Sequence, residues 1–331
     1  MDRLTLQAAA HAAFDRLAAA GLPGATLVAS DPTATLELAL GSVDRAASAP
    51  MALPAPMRFA SVSKLVIAYV ALSLAEDGAL DLDAPLQGPQ GALPVTLAQC
   101  AAHRTGFRDA LEDPAFRARA AAADGRIAWR EAMEAGLALG RVALAPGERR
   151  YANTNALLIA AACERAAGAA FDALAQRRVF APIGVPLMTA LPDSAPKGYR
   201  HARAPGALEY GDTLVDASTH IPGWAGPAGG YAGDVRALMR LGTRLAQGDG
   251  LSAPARARLH GFEHGGARTW GFLLQRDGAV VGHDGDVPGY AARYGWRPRD
   301  GLRVAVLANL SNLVDGTNPA AALADTLFAA Q

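Results

Sequence analysis

Lysine is nearly missing from this chain: of 31 basic residues in 331, only Lys64 and Lys197 are lysine, and the other 29 are arginine. Net charge is missing as well, because 31 acidic residues balance the basic ones. A chain without charge excess lacks the electrostatic footprint that nucleic acid or an anionic membrane requires, so neither is expected as a partner. Cysteine is scarce. Cys100 and Cys163 sit in Ala-rich, helix-like surroundings and read as buried free thiols rather than a disulfide framework. No apolar run approaches the roughly 18 residues that a membrane span needs. Residues 2–20 also lack the uninterrupted apolar stretch and cleavage site of a secretory signal, since Asp2, Arg3, Gln7, His11, Asp15 and Arg16 interrupt the apolar positions. That segment reads as an amphipathic helix, and the chain as a soluble cytoplasmic protein.

What is present is apolar and long. Hydrophobic residues make up 51% of the chain and charged ones 19%, which excludes a disordered polypeptide. The length suits one large domain or two interleaved ones. After the first helix, Gly21–Gly24 stops the chain, and Ala25–Ala29 and Thr35–Leu40 pair as a hairpin. A strongly apolar helix runs from about Ser61 to Glu76. Further helices are expected near 113–138, 153–167, 171–179 and 234–247, and the Pro- and Gly-rich segment 181–230 reads as a long substrate-facing connection. Four strands are expected at Thr269–Gln275, Ala279–His283, Tyr290–Trp296 and Leu302–Leu307, joined by tight turns and therefore antiparallel, before a closing helix over 317–329. The pattern predicts an α+β fold. Residues 1–60 and 260–331 would supply an antiparallel sheet flanked by helices, and 61–259 a mostly helical inserted portion, the two forming one catalytic unit.

Three short motifs carry chemistry. Ser61-Val62-Ser63-Lys64 opens the apolar helix, and three residues is close to one turn, so the Lys64 amine overlies the Ser61 hydroxyl. A desolvated lysine of lowered pKa can take the proton of a serine, which is otherwise a weak nucleophile. The helix N-terminus adds free N–H groups where an oxyanion would form. Tyr151-Ala152-Asn153 precedes a second helix. Beside an ammonium the Tyr151 phenolate is favoured and can act as a base, while Asn153 can orient a carbonyl; the plainer reading is a packed tyrosine and a helix N-cap. His283-Asp284-Gly285 ends a strand, where Gly285 would let a substrate lie close to the backbone. His264-Gly265-Gly266 matches the same H-x-G pattern, but only His283 has a strand leading into it.

In this order and spacing the three motifs resemble the class C β-lactamase superfamily, which includes D-alanyl-D-alanine carboxypeptidases, D-aminopeptidases, esterases and acyltransferases. The resemblance spans nearly the whole chain and extends to His103-Arg104-Thr105-Gly106 and Pro227-Ala228-Gly229-Gly230. It implies a β-lactamase/DD-peptidase-like fold and an acyl-enzyme on Ser61, with Lys64 and Tyr151 sharing the general-base role. Asn153, His283, Gly285 and Asp286 would bind substrate, with the backbone N–H groups of Ser61 and Asp286 as the oxyanion hole. No cofactor or metal is implied, and the partner is a small-molecule or peptide substrate.

One departure sharpens the expectation. Family β-lactamases use a Lys-Thr-Gly triplet to hold a substrate carboxylate. Here that stretch is His283-Asp284-Gly285-Asp286, and two carboxylates should repel an anion. A neutral or cationic ester or amide is the expected substrate, with weak activity on β-lactams. Acyl transfer or peptide cyclisation through the same acyl-enzyme, a β-lactamase or carboxypeptidase, and an inactive binding scaffold are the alternatives. His260-Gly261-Phe262-Glu263-His264 matches a zinc-peptidase pattern, but its glycines oppose the helix that pattern needs. Arg104, Asp109, Glu112, Lys197, Tyr199, Arg200, His201 and Trp224 are candidates to line the cleft.

Overall fold

The computed structural model describes residues 2–88, 91–122, 126–204, 206–262 and 268–330. Its centre is a seven-stranded antiparallel sheet made from the two ends of the chain: β1 (Gly24–Ser30), β2 (Thr35–Gly41), β3 (Arg268–Trp270), β4 (Gln275–Asp277), β5 (Val280–Val287), β6 (Tyr290–Arg297) and β7 (Leu302–Ala308), in the spatial order β2-β1-β7-β6-β5-β4-β3. The first and last strands in sequence are joined by pairs such as Leu27↔Val306 and Val28↔Ala305. That register explains why β1 is buried along its length and reads as a continuous apolar run: both of its faces are covered.

The alternation of side chains assigns each strand to two cores. On one face Leu27, Val304 and Val306 pack with Leu6, Phe14, Leu323 and Leu327 from the first helix (Arg3–Ala19) and the last (Pro319–Ala329). Val28, Ala305, Leu307 and Tyr294 face the other way, into a larger core shared with the helices Lys64–Glu76, Asn153–Ala167 and Val235–Gln247. The first helix is capped by Asp2, whose carboxylate accepts from the Leu4 N–H at 3.1 Å. Both cysteines are buried and free, and burial pushes each thiol up to about 12.

Several expected elements differ in detail. The single strand over Thr269–Gln275 is a tight hairpin instead: Thr269 pairs with Arg276 and Trp270 with Gln275. Leu273 reverses the chain at φ 53°, and the Gly271 N–H donates to the Leu274 carbonyl at 2.8 Å, so seven residues that look like one strand close on themselves. The helix expected over 113–138 is two, Pro114–Ala122 and Trp129–Ala138, the second starting from an extended Ala128. The segment 181–230 is less irregular than its composition suggests. It holds the antiparallel pair Tyr199–Ala202 and Thr213–Asp216 and the turn Gly223–Ala228.

Candidate active site

Ser61 does not begin an α-helix. It lies in a 3₁₀ turn, Ala60–Ser63, and Lys64 is the first residue of the α-helix that follows. In a 3₁₀ turn residues three apart eclipse each other, which sets the lysine directly over the serine. The Lys64 Nζ is 2.8 Å from the Ser61 Oγ and donates to the Ala228 carbonyl at 2.9 Å. Lys64 is fully buried. Burial pulls its pKa from 10.5 down to about 7, against the opposing charges of Asp109 and Asp286. Near neutral pH a large share of this lysine is therefore a free amine with a lone pair beside a hydroxyl.

Tyr151 completes the group, its hydroxyl 3.0 Å from the same Ser61 Oγ and its ring centroid 5.1 Å from Lys64 Nζ. The expected phenolate does not fit these surroundings. The side chain is 41% exposed, but that exposure is to the cleft. The enclosing protein, followed by the carboxylates of Asp109, Asp284 and Asp286, drives the phenol upward, so it stays protonated.

Behind Tyr151 stands His103, which the sequence marks only as part of a landmark tetrapeptide. It is fully buried, adopts φ 56°, and brackets the tyrosine on three sides. Its carbonyl accepts from the Arg150 N–H at 2.9 Å, its Nδ1 accepts from the Ala152 N–H at 3.4 Å, and its ring lies 4.6 Å from the Tyr151 ring. Asn155 donates to the same Nδ1 at 3.2 Å and is itself held by the Thr105 hydroxyl at 2.6 Å. Burial, then the Lys64 and His283 charges, push His103 far below its usual range, so the ring is neutral. Trp270 packs edge-on at 4.7 Å.

The third side is β5. Its neighbour β4 pairs with Val280–Gly282, so from His283 onward the outer edge has no strand beside it among the described residues and meets the Ser61 turn. Gly285 is the point of contact. A Cβ placed there would lie 2.3 Å from the Ser61 N, so the glycine admits the Ser61 backbone, where a close approach of substrate was expected. The Gly285 carbonyl accepts from Asn318 at 2.9 Å, tying this strand to the cap of the last helix. His283 is bonded through Nδ1 to the Asp284 carbonyl, which can only accept, so Nδ1 carries the proton and the buried Nε2 keeps a lone pair without a partner. Burial, then the nearby Lys64 charge, hold His283 well below its ordinary range, and it too is neutral.

Ser61, Tyr151, Asn153, His283, Gly285 and Asp286 line one cleft of about 500 Å³, with Lys64 beneath them. Asn153 is not the N-cap. It is the first helical residue, and the Asp109 carboxylate accepts its N–H at 2.6 Å. Of the other candidates, Arg200 and Trp224 reach the cleft. Asp109 holds Asn153, Glu112 pairs with Arg150 at 2.6 Å, and the Tyr199 hydroxyl faces the Arg45 N–H instead. Leu111, Arg149, Tyr210, Arg268 and Trp270 also line it, and no local motif marks them. The two carboxylates expected to repel anions are unequal. Asp284 lies 3.6 Å from Arg268 and 3.9 Å from Arg293, whereas Asp286 is exposed and bonded to the Tyr210 hydroxyl at 3.0 Å. His260 ends the short helix Ala253–Leu259 with its ring against the Ala246 carbonyl, and Glu263, His264 and the alternative His264-Gly265-Gly266 lie outside the described residues.

This fold, with a serine, a buried lysine and a tyrosine at one cleft, defines a hydrolase of the β-lactamase fold. Residues 10–328 match the Beta-lactamase family model, and the chain belongs to that family. It is similar in structure to a D-stereospecific amidohydrolase from a Streptomyces species, with a TM-score of 0.83 and 22% identity covering 100% of both chains. It is similar to the D-amino acid amidase of Ochrobactrum anthropi SV3 complexed with D-phenylalanine, with a TM-score of 0.83 and 22% identity over 98% of each chain. A penicillin binding protein from Bacillus halodurans also matches, with a TM-score of 0.75 and 20% identity over 97% of this chain and 99% of that one. No helix among the described residues is long and apolar enough to cross a membrane.

Proposed function

We propose that this protein is a serine amidase or esterase that forms an acyl-enzyme on Ser61, with small amides or esters that are neutral or carry a free amine as its substrates. The observation that carries the reading is the Ser61 Oγ set 2.8 Å from a buried lysine held near neutrality and 3.0 Å from a protonated tyrosine. In the reaction the neutral Lys64 amine takes the Ser61 proton as the Oγ attacks the carbonyl carbon. The resulting oxyanion would be met by the Ser61 and Asp286 N–H groups, the pair that the family resemblance implies, with Gly285 letting the strand approach the Ser61 N–H. Collapse breaks the bond to the leaving nitrogen or oxygen. The Tyr151 hydroxyl gives up its proton to that atom and is re-protonated from the Lys64 ammonium. Water, activated by the same amine, then releases the acid.

Asp286 supports the choice of substrate. Loss of water around its carboxyl, and the neighbouring Asp284, push Asp286 upward against the Tyr210 hydrogen bond and the charges of Arg200 and Lys64, none of which forms an ion pair with it. A substrate ammonium would supply a direct ion pair, and a D-amino acid amidase of similar fold is complexed with D-phenylalanine and with L-phenylalanine amide. The test is intact mass after incubation with D- and L-phenylalanine amide, a neutral short-chain ester and an anionic cephalosporin, with Ser61→Ala as control. An acyl adduct from the amide or neutral ester, absent in the variant, is expected. Faster turnover of the cephalosporin than of the neutral ester would overturn the substrate assignment, and an adduct that persists in Ser61→Ala would overturn the nucleophile.

A further inference from the structure

The cleft has two ends along β5, and their charges differ. From His283 to Asp286 the strand advances about 10 Å, and the Ser61 turn meets it between them, at Gly285. Beyond that contact the Asp286 carboxylate lines the wall, exposed and accepting from the Tyr210 hydroxyl at 3.0 Å. Arg200 lines this end too. Its guanidinium, however, donates to the Leu208 carbonyl at 2.5 Å and lies 5.9 Å from the Tyr210 ring.

The other end is cationic. Trp270 packs 5.4 Å from both the Tyr151 and the His283 rings, and its carbonyl accepts from the Arg149 guanidinium at 3.1 Å. That bond fixes Arg149 on the cleft wall, and it uses one of the five N–H donors a guanidinium carries. Arg104 adds like charge beside it: loss of water, then the Arg104 charge, lowers the Arg149 pKa. Asp284 is the acid at this end, and it lies 3.6 Å from Arg268 and 3.9 Å from Arg293.

Tyr151 assigns a chemical role to each end. In the proposed reaction its hydroxyl protonates the leaving atom, so the leaving group lies where Tyr151 packs on Trp270, toward Arg149. The acyl part then points to Asp286. We infer that the cleft takes a short peptide with both termini free, its N-terminal ammonium on Asp286 and the carboxylate of its leaving amino acid on Arg149. Two extended residues span about 7 Å, which suits a dipeptide to this stretch of strand, and the arginine fork matches a carboxylate. The direction of the peptide rests on the proposed acyl-enzyme reaction. Ser61 Oγ bonds to the carbonyl of the first residue as its C–N bond breaks, and the second residue leaves as a free amino acid with the Tyr151 proton on its nitrogen. Water then cleaves the ester and releases the first residue.

The test separates binding from chemistry. The Ser61→Ala chain is titrated calorimetrically with phenylalanyl-glycine and phenylalanyl-glycinamide, each with D- and L-phenylalanine, two ligands that differ only in the terminal carboxylate. For the enantiomer that binds more tightly, the free acid should bind about tenfold tighter than the amide. Adding Arg149→Gln should remove that preference, and Arg149→Lys should restore part of it. Equal binding of acid and amide, no binding of either, or an Arg149→Gln change that weakens both alike would each overturn the inference; the last would show that Arg149 only supports Trp270. Asp286→Asn should weaken both peptides to the same extent, and a gain for the free acid there would overturn the direction. Intact mass of the unsubstituted chain with the same peptides tests the reaction separately. A missing phenylalanyl adduct alongside an intact Arg149-dependent preference would overturn the acyl-enzyme and leave the carboxylate site standing.

Discussion

The floor and the rim of the cleft both hold ionisable side chains, but in opposite surroundings. On the floor Lys64, His103 and His283 are buried, and each is pulled toward neutrality by the loss of water around it. On the rim Arg268 and Asp284 lie 3.6 Å apart in an ion-pair network that also includes Asp277 and the buried Arg293. The contrast shows where charge is useful. A group that must exchange protons at neutral pH has to sit near its own pKa, whereas a group that recognises substrate works best fully ionised and held. Mutations on the floor should therefore act on turnover and those on the rim on binding.

The largest effect is expected at Lys64. Replacing it with methionine removes the base, and kcat should fall by about 10³-fold or more. Stability should hold or rise, because a buried amine is replaced by an apolar chain of similar length, and thermal unfolding checks this. Lys64→Arg should also abolish acylation, since a guanidinium keeps its proton at neutral pH. A lysine variant that kept full activity would falsify the assignment of the floor.

The pH profile follows from the same residue. With its pKa held at about 7, the neutral amine is lost as pH falls below that value, so kcat/KM should drop about tenfold per unit on the acid side and level off above it. For stability the sign is the same. Between about 7 and 10.5 the unfolded chain holds a proton at this lysine that the folded one does not, so the Lys64 contribution to stability increases with pH across that window. A stopped-flow profile lacking an inflection near pH 7 would count against Lys64 as the base.

Next comes Gly285→Ala. The added methyl would overlap the Ser61 backbone at 2.3 Å, and displacing a nucleophile by even 1 Å costs about 10²-fold in rate. The expected result is loss of kcat with KM little changed. His103→Asn should cost about tenfold in kcat, since it acts through the placement of Tyr151, and should leave the inflection near pH 7 in place. An altered inflection would show that His103 titrates in the reaction rather than positioning the tyrosine. The smallest and most selective effect belongs to the rim. Asp286→Asn should raise KM for an amine-bearing amide about tenfold and leave a neutral ester unaffected. Equal losses on both substrates would erase the division between floor and rim.

Much of this arrangement is legible in the order of the residues. The serine–lysine spacing is a local fact about one short segment, and the strands over 280–308 follow from alternation and turn residues that act within a few positions. The N-terminal hairpin, the free buried cysteines and the sheet built from both ends read the same way. The hairpin at Trp270–Gln275 is hidden because an apolar run has the same pattern whether it continues or folds back, and the reversal depends on one left-handed residue, Leu273. Arg149, Tyr210, Arg268 and Trp270 are hidden because their part in the cleft comes from distant packing, not from neighbours in sequence.

The chain's residues alone set the chemical inventory: a serine and a lysine one turn apart, a tyrosine ahead of a helix, a glycine on a strand, and lysine so rare that Lys64 stands out. What those groups become depends on the folded arrangement. A lysine's pKa is set by how much water the surrounding core excludes, and a carboxylate's effect on a substrate by whether an arginine from another strand has already neutralised it. Burial and long-range pairing both arise only when distant segments meet, which is why the Lys64 amine is pulled toward neutrality, the Tyr151 phenol is pushed upward, and only one of two nearby aspartates lies within reach of two arginines.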